Sequence, residues 1–286
     1  MDPASLSNAS ALLRAHDLRP RKRWGQNFLC DRNALDRIVK AAALRPDDRT
    51  LEIGPGLGAL TLRLADLSSF VTAVEIDPLL EPVLQETLAG RTNVRIITHD
   101  FLKLDLSALL DEAFGPDPGV VVANIPYYIT TPILEKLLAH KGRVARIVLL
   151  VQHEFAERLA ARPATEAYGS MTVFAQFHTR VEIAGPVSRN CFLPAPEVAS
   201  SIVVFTPVEG GTVPVRDERA FFRLVHAAFG QRRKTLPNAL AGGDTDLDRA
   251  EAEALVRRTG IDPGRRGETL SLQEFAALAD EFVQSR

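Results

Sequence analysis

The chain has 286 residues, of which 46% are hydrophobic and 24% charged, and its formal net charge is −2. This composition indicates a globular protein with one large domain and a smaller one, and the charge gives no global sign of a nucleic-acid partner. No apolar run approaches the roughly 18 residues that cross a bilayer, so no membrane partner is expected. The N-terminus lacks the order of a secretory signal, which predicts a cytoplasmic protein. Cys30 and Cys191 predict neither a disulfide framework nor a zinc site, and no metal is expected.

From residue 31 to residue 161, apolar strand patterns alternate with amphipathic helix patterns. The first helix is predicted at 31–44, with Asp31 as its N-cap. Strands are predicted at 50–53, 71–76, 94–98, 120–124 and 145–152, and further helices at 57–67, 78–89, 131–140 and 153–161. Continuously apolar strands separated by helices are typical of a parallel sheet that is covered on both faces.

The pattern changes after residue 165. The segment 170–177 predicts a helix rather than a strand, and two strand-like runs at 180–187 and 200–207 follow without a helix between them. Such a pair indicates an antiparallel hairpin at one edge of the sheet. From about residue 212 onward only helical patterns occur, and Gly and Pro concentrate in 208–216. We therefore predict an N-terminal extension (1–20), an α/β domain (21–210) and a helical C-terminal domain (211–286).

A glycine-rich loop, EIGPGLGAL, follows the first of these strands. Gly54, Gly56 and Gly58 lie between a strand and a helix, where the missing side chains let the backbone approach a ligand. Glu75 ends the second strand, where a carboxylate can accept both hydrogen bonds from a ribose diol. Because the loop also fits the dinucleotide fingerprint, NAD and S-adenosylmethionine are both open on this pattern alone.

The third strand leads to Asp100, which is followed by Phe101. An acid at this position can accept a hydrogen bond from an exocyclic amine such as adenine N6, while the aromatic neighbour covers the ring. A solvated Asp that caps a helix is the alternative interpretation.

The fourth strand ends in Asn124, Ile125, Pro126 and Tyr127. An aromatic amine is a poor nucleophile, and two acceptors aimed at its protons favour the tetrahedral form that can accept a methyl group. The side-chain oxygen of Asn124 and the carbonyl of Ile125 can be these acceptors, since Pro126 biases Ile125 away from helix and directs its carbonyl outward. Tyr127 offers a face for a base to stack on, worth about 1–3 kcal/mol. The strand end therefore predicts methylation of a planar amine by positioning and electrostatics, without a strong base.

Residues 20 to 285 resemble the rRNA adenine N6,N6-dimethyltransferase family, and above all its small-subunit (16S-type) branch. The resemblance is carried by RKRWGQNFL (21–29), LEIGPGLGALT (51–61) with VEIDP (74–78), HDFLKLD (99–105) with NIPYYITTPI (124–133), FLPAPEVASSIV (192–203) and QRRKTLPNAL (231–240). It implies a Rossmann-like class I methyltransferase sheet of seven strands, mostly parallel with the last antiparallel, and a small all-helical C-terminal domain. Trp24 stands where a smaller apolar residue is expected, and the first 19 residues have no counterpart.

The resemblance also implies S-adenosylmethionine as the cofactor and a role for each matching residue. Residues implied to hold the cofactor are Gln26, Asn27, Leu29, Glu52, Gly54, Gly56, Gly58, Glu75, Ile76, Asp100, Phe101 and Asn124. The implied catalytic set is Asn124, Ile125, Pro126 and Tyr127, with Phe192 covering the second face of the target base.

By the same resemblance the protein dimethylates two adjacent adenines of small-subunit rRNA within a pre-ribosomal subunit. Two basic clusters are predicted to contact RNA phosphates: Arg21, Lys22 and Arg23, and Arg232, Arg233 and Lys234. Nothing in the sequence requires an oligomer, and a monomer is expected. The competing interpretations are a large-subunit rRNA methyltransferase, an assembly factor that acts without turnover, and an amide or DNA amino-methyltransferase. An NAD dehydrogenase is weaker, because the motif supplies no acid or base for hydride chemistry.

Overall fold

The computed structural model describes residues 1–286 apart from the side chain of Lys22. The predicted contact of Lys22 with RNA therefore lies outside the described residues. In the part of the chain that is described, no helix is long and apolar enough to cross a membrane. The chain divides into two compact units, Met1–Ala156 with Glu182–Pro207, and Glu157–Val181 with Val208–Arg286.

Strands and helices alternate over most of the first unit. The second unit is helical apart from the first residues of β7. The strands are β1 (Phe28–Leu29), β2 (Arg49–Ile53), β3 (Phe70–Glu75), β4 (Val94–Thr98), β5 (Gly119–Asn124), β6 (Val144–Gln152), β7 (Thr179–Val187), β8 (Phe192–Leu193) and β9 (Ser200–Pro207). The helices are α1 (Leu6–Ala15), α2 (Arg32–Ala42), α3 (Ala59–Leu67), α4 (Glu81–Thr87), α5 (Leu106–Phe114), α6 (Thr130–Leu138), α7 (His153–Leu159), α8 (Ser170–His178), α9 (Glu218–Gly230), α10 (Leu236–Ala241), α11 (Arg249–Arg258) and α12 (Leu272–Gln284).

The main sheet has seven strands in the order β4-β3-β2-β5-β6-β9-β7. β2, β3, β4, β5 and β6 pair in parallel, and β9 runs antiparallel to β6. The predicted fold class, a mostly parallel seven-stranded sheet with an antiparallel return, is confirmed. The strand order reverses at β2, which has β3 on one side and β5 on the other. Open α/β sheets bind their ligands at such a point, beyond the carboxyl ends of the strands.

Each strand predicted for this sheet is present to within one residue, and the predicted helix at 170–177 is α8. Asp31 caps α2 as predicted, since its Oδ1 accepts a hydrogen bond from Ala34 N at 2.8 Å. α1, α5, β1 and β8 were not predicted. β1 and β8 form a separate two-stranded sheet, in which Leu29 pairs with Phe192 and Phe28 with Leu193.

The second unit is built around an aromatic core. The rings of Phe177 in α8 and Phe221 in α9 lie 4.7 Å apart, and Phe275 in α12 lies 6.4 Å from Phe221. All three side chains are fully buried. Because α8 contributes Phe177 to this core, the stretch Glu157–Val181 joins the second unit, whereas the sequence placed the change of domain at 208–216.

Candidate active site

A cavity of about 810 Å³, counted with its open mouth, lies at the carboxyl ends of β2, β3 and β5. This size is in the range of pockets that hold a cofactor-sized ligand. Its walls come from the segment before α2, the glycine loop, the ends of β3 and β5, and β8. The lining residues are Trp24, Gly25, Gln26, Asn27, Phe28, Leu29, Glu52, Gly54, Pro55, Gly56, Leu57, Ala59, Leu60, Glu75, Ile76, Leu80, Asn124, Ile125, Pro126, Tyr127 and Phe192.

The glycine loop forms one wall of this cavity and is folded as only glycine allows. Gly56 has φ at 57°, and a Cβ added there would lie 2.9 Å from Cδ1 of Phe28. Gly58 does not line the cavity. It caps α3 instead, and a Cβ at this position would lie 3.1 Å from Cγ2 of Thr87 on α4. Gly58 therefore lets α3 and α4 pack closely, whereas Gly54 and Gly56 face the ligand space.

Two buried carboxyl groups, Glu52 and Glu75, stand behind the loop. Glu75 accepts hydrogen bonds from Gly56 N at 3.1 Å and from Asp77 N at 2.9 Å, and burial raises its pKa to about 7. Burial raises the pKa of Glu52 to about 8, against the lowering effect of the neighbouring Thr61 hydroxyl. Oε2 of Glu52 has no hydrogen-bond partner among the described residues. An unpaired buried acceptor on the cavity wall fits a ligand that brings hydrogen-bond donors, as an amino acid or a ribose does.

We use the name gate segment for residues 21–29, which close one side of the cavity. Gln26 Nε2 donates to Asp77 Oδ2 at 2.9 Å, and Arg21 N donates to Gln26 Oε1 at 2.8 Å. The guanidinium of Arg21 lies 3.3 Å from Asp77 Oδ1, and the Asp77 side chain is 3% exposed. Asp77, which follows Glu75 by two residues, therefore holds the gate segment through Gln26 and Arg21. Arg21 was predicted to contact RNA, but its guanidinium pairs with this carboxylate.

The end of β5 presents Asn124 to the cavity in a defined orientation. Its side-chain Nδ2 donates to the carbonyl of Asn27 at 3.2 Å. No described hydrogen bond uses Oδ1, so this oxygen is available to a ligand. Ile125 is 3% exposed, and Pro126 has φ −57° and ψ 136°, which is extended backbone. An amide oxygen and a neighbouring carbonyl at the mouth of a strand can accept two hydrogen bonds from one amine.

Tyr127 and Phe192 supply aromatic surface to the same cavity. The Tyr127 hydroxyl lies 2.7 Å from Oγ of Ser200, which fixes the ring, and burial raises the pKa of this phenol. Phe192 is held by the pairing of β1 with β8 and is 3% exposed. No local pattern in the sequence predicts Ser200 as a partner of Tyr127.

Asp100 and Phe101 do not line this cavity. Asp100 Oδ1 accepts from Leu102 N at 3.0 Å and caps a turn of 3-10 helix, Phe101–Lys103. Lys103 Nζ lies 3.8 Å from the other carboxylate oxygen, and Phe101 is 5% exposed. The capping role that the sequence left open is therefore the one the structure records.

The predicted basic clusters are partly engaged in internal contacts. Arg232 Nε pairs with Glu268 Oε2 at 2.5 Å, and its Nη2 donates to the carbonyl of Glu166 at 2.6 Å. Arg23 is exposed, and its guanidinium lies 4.8 Å from the ring centre of Trp24. Arg233 and Lys234 are exposed.

Sequence reasoning missed α1, which packs behind the cavity wall. Its buried residues Leu12 and Leu13 form a cluster with Phe28, Leu57 and Leu80, all three of which line the cavity. Ser5 begins the helix, and its hydroxyl accepts from Asn8 N at 3.2 Å. The run NASALLRA (8–15) carries a weak amphipathic pattern that could have identified the helix, although not its packing partner.

Comparison with known proteins places this arrangement in a family. The family model of ribosomal RNA adenine dimethylases matches residues 18–284. A protein named ribosomal RNA small subunit methyltransferase A from Moorella thermoacetica is 46% identical over 274 residues, 94% of each chain. Its namesake from Geobacillus thermodenitrificans is 44% identical over 285 residues, 99% of this chain and 97% of the relative.

Two solved structures share the fold. A dimethyladenosine transferase from Plasmodium falciparum superposes with a TM-score of 0.74 at 25% identity, covering 87% of this chain and 94% of that one. The 23S rRNA methyltransferase ErmE superposes with a TM-score of 0.68 at 30% identity, covering 90% of this chain and all of that one. The predicted family, enzyme class and methyl donor, S-adenosylmethionine, are confirmed by these matches. Since the family model spans nearly the whole chain, the protein belongs to the ribosomal RNA adenine dimethylase family.

Proposed function

We propose that this enzyme methylates the N6 amines of two adjacent adenines in small-subunit rRNA, each to dimethyladenosine, during ribosome biogenesis. Relatives with a small-subunit name at 44–46% identity over nearly the full chain support this substrate. ErmE, a 23S rRNA methyltransferase, shares the fold at 30% identity, so large-subunit rRNA is the second candidate. The proposal includes a pre-ribosomal small subunit as partner, a cytoplasmic location and a monomeric enzyme.

The orientation of Asn124 carries the proposal. Its Nδ2 is used by the carbonyl of Asn27 at 3.2 Å, which leaves Oδ1 as the group that meets the substrate. An acceptor suits an amine that has protons to donate, and it would not suit a substrate that presents only acceptors. Adenine N6 has two protons, and the Ile125 carbonyl is the second acceptor beside it.

Catalysis then consists of placing the amine and favouring its tetrahedral form. S-adenosylmethionine, when bound, supplies an electrophilic methyl group. Asn124 Oδ1 and the Ile125 carbonyl accept hydrogen bonds from the two N6 protons, which concentrates the nitrogen lone pair on the side away from them. Tyr127 and Phe192 hold the ring between them, so that the amine is presented in one orientation. No side chain has to remove a proton before transfer, because the amine becomes acidic once it carries the new methyl group.

We assign roles around the donor from the resemblance and from the positions of the residues in the cavity lining. Gly54 and Gly56 give backbone access, Glu75 accepts from the ribose, and Ile76 flanks the adenine of the donor. Glu52 presents its unpaired Oε2 to donors of the same ligand. Three residues of the gate segment cover the donor: Gln26, Asn27 and Leu29.

Asp100, with Phe101 beside it, keeps the role of binding the donor's adenine amine only as a proposal, since both residues lie outside the cavity lining. Arg23, Arg233 and Lys234 are exposed cations, and we assign to them the contacts with RNA phosphates. Arg21 and Arg232 can join them only by exchanging their internal carboxylate partners for phosphate. The proposed contact of Lys22 rests on its position in the sequence.

The test is transfer of labelled methyl groups from S-adenosylmethionine to undermethylated small subunits, large subunits and naked rRNA, followed by nucleoside analysis. Dimethyladenosine from small subunits alone is the expected result. Label only in large-subunit RNA would move the enzyme to the other branch, and binding without label would favour an assembly factor. Asn124→Ala should lower kcat by about 10²–10³-fold, with a smaller loss of affinity for the donor. Asn33→Ala, on the exposed face of α2, is the control and should retain full activity.

A further inference from the structure

We propose that Tyr128 is a stacking platform for the nucleotide that adjoins the target adenine in the rRNA. The inference rests on the proposed function and adds to it a contact outside the cavity. When two adjacent adenines are the targets, the base on this platform is one of the pair while the other occupies the cavity.

Tyr128 is unusual because it is an exposed aromatic residue inside the catalytic motif. It is 63% exposed, more than any other large apolar side chain that the structure describes as exposed. Tyr127 and Tyr128 share one turn of 3-10 helix, Tyr127–Ile129, in which successive side chains point about 120° apart. Tyr127 lines the cavity, whereas Tyr128 is exposed to solvent beside Gly25, which lines the cavity.

The Tyr128 ring is braced by the gate segment. A Cβ placed on Gly25 would lie 3.3 Å from Cε1 of Tyr128 and 3.1 Å from Cβ of Pro126, and Gly25 has φ at 57°. Glycine at this position thus lets the backbone pack directly against the edge of the ring. A ring that is already held loses little conformational freedom when a base stacks on it.

The chemistry of the surroundings fits a nucleotide. A base that enters the cavity must leave its stack, and its neighbour then loses a stacking partner. Exposed aromatic rings replace such partners in proteins that bind unstacked RNA. On the neighbouring part of the gate segment, the exposed guanidinium of Arg23 lies 4.8 Å from the ring centre of Trp24, which lines the cavity. The gate segment beside Tyr128 therefore carries an exposed cation that can contact an RNA phosphate, whereas a protein partner would require a broader apolar surface.

The experiment compares Tyr128→Ala and Tyr128→Phe with the wild-type enzyme. The dissociation constant for undermethylated small subunits is measured by filter binding, and that for S-adenosylmethionine by calorimetry. Tyr128→Ala should weaken subunit binding roughly 5- to 150-fold, the range of one lost base stack. Tyr128→Phe should stay within about twofold of the wild type, because it keeps the ring. Leu67→Ala, at another exposed apolar side chain of the same unit, is the control and should have no effect.

Three outcomes would overturn the inference. Tyr128→Ala could bind small ribosomal subunits as tightly as the wild type does. Tyr128→Phe could bind them as weakly as Tyr128→Ala does, which would assign the contact to the hydroxyl. Donor affinity could fall together with subunit affinity, which would make Tyr128 only a support for the gate segment. Failure of the wild-type enzyme to methylate small subunits would instead refute the proposed function, so the two failures are distinguishable.

Discussion

Replacing Glu52 by Gln should change how the stability of the protein depends on pH. Burial raises the pKa of Glu52 from 4.5 to about 8, and the neighbouring Glu75 adds to the rise. Between these two values the folded state binds more protons than the unfolded state. The protonated carboxyl therefore contributes its full stability below pH 4.5, and this contribution is lost progressively as the pH rises from 4.5 to about 8.

Glutamine cannot ionise, so the variant avoids the cost of a buried charge. Its free energy of unfolding relative to the wild type should rise by about 1.4 kcal/mol per pH unit, or about 3 kcal/mol between pH 5.5 and pH 7.5. Because Oε2 has no partner, the new amide also changes the free energy of unfolding by an amount that does not vary with pH. The slope is therefore the quantity that tests the reasoning.

The measurement is urea unfolding of both proteins at pH 5.5, 6.5 and 7.5, without the methyl donor. Glu209→Gln, in an exposed turn, controls for the loss of one negative charge. A stability difference between Glu52→Gln and the wild type that stays constant over this range would show that Glu52 is ionised in the folded protein throughout. The account of its burial would then be wrong.

Two further predictions concern the ligand sites. Burial raises the pKa of Glu75 to about 7, so affinity for S-adenosylmethionine should fall by up to about tenfold per pH unit below pH 7. Glu75→Gln should remove this pH dependence of the affinity, measured by calorimetric titration from pH 6 to 8. Ser200→Ala removes the partner of the Tyr127 hydroxyl at a cost of about 1 kcal/mol, so kcat should fall about fivefold while donor affinity is kept. Ser201→Ala, whose hydroxyl contacts His153 instead, is the matched control, and equal losses in both variants would refute a specific role for Ser200.

Local patterns were sufficient to predict the sheet and the edge of the sheet at which the cavity lies. Apolar runs identified the strands, and the Gly54 loop and Asn124 followed from the rule that ligands bind at strand ends. The pairing of Leu29 with Phe192 could not be predicted, because a two-residue strand has no periodicity and its partner is distant in the chain. Asp100 was ambiguous for a different reason. A carboxylate at the end of a strand and before a helical turn satisfies a capping pattern and a ligand pattern equally well.

Charge clusters were the least informative part of the sequence. Arg232 belongs to a run of three cations, yet its guanidinium is used by Glu268 and by a backbone carbonyl. Sequence spacing cannot show which cations find internal acceptors, since those acceptors come from distant segments. The same limit applies to α1, whose Leu12 packs against residues of the cavity wall.

The gate segment connects the proposed donor site to the proposed base site. Gln26 is bonded to Asp77, whose backbone N–H holds Glu75, while the carbonyl of Asn27 orients Asn124. Phe28 packs under Gly56, so the next residue along the segment contacts the glycine loop as well. A displacement of these few residues would therefore disturb Glu75, the glycine loop and Asn124 together. The proposed donor and base sites are therefore coupled through residues 26–28.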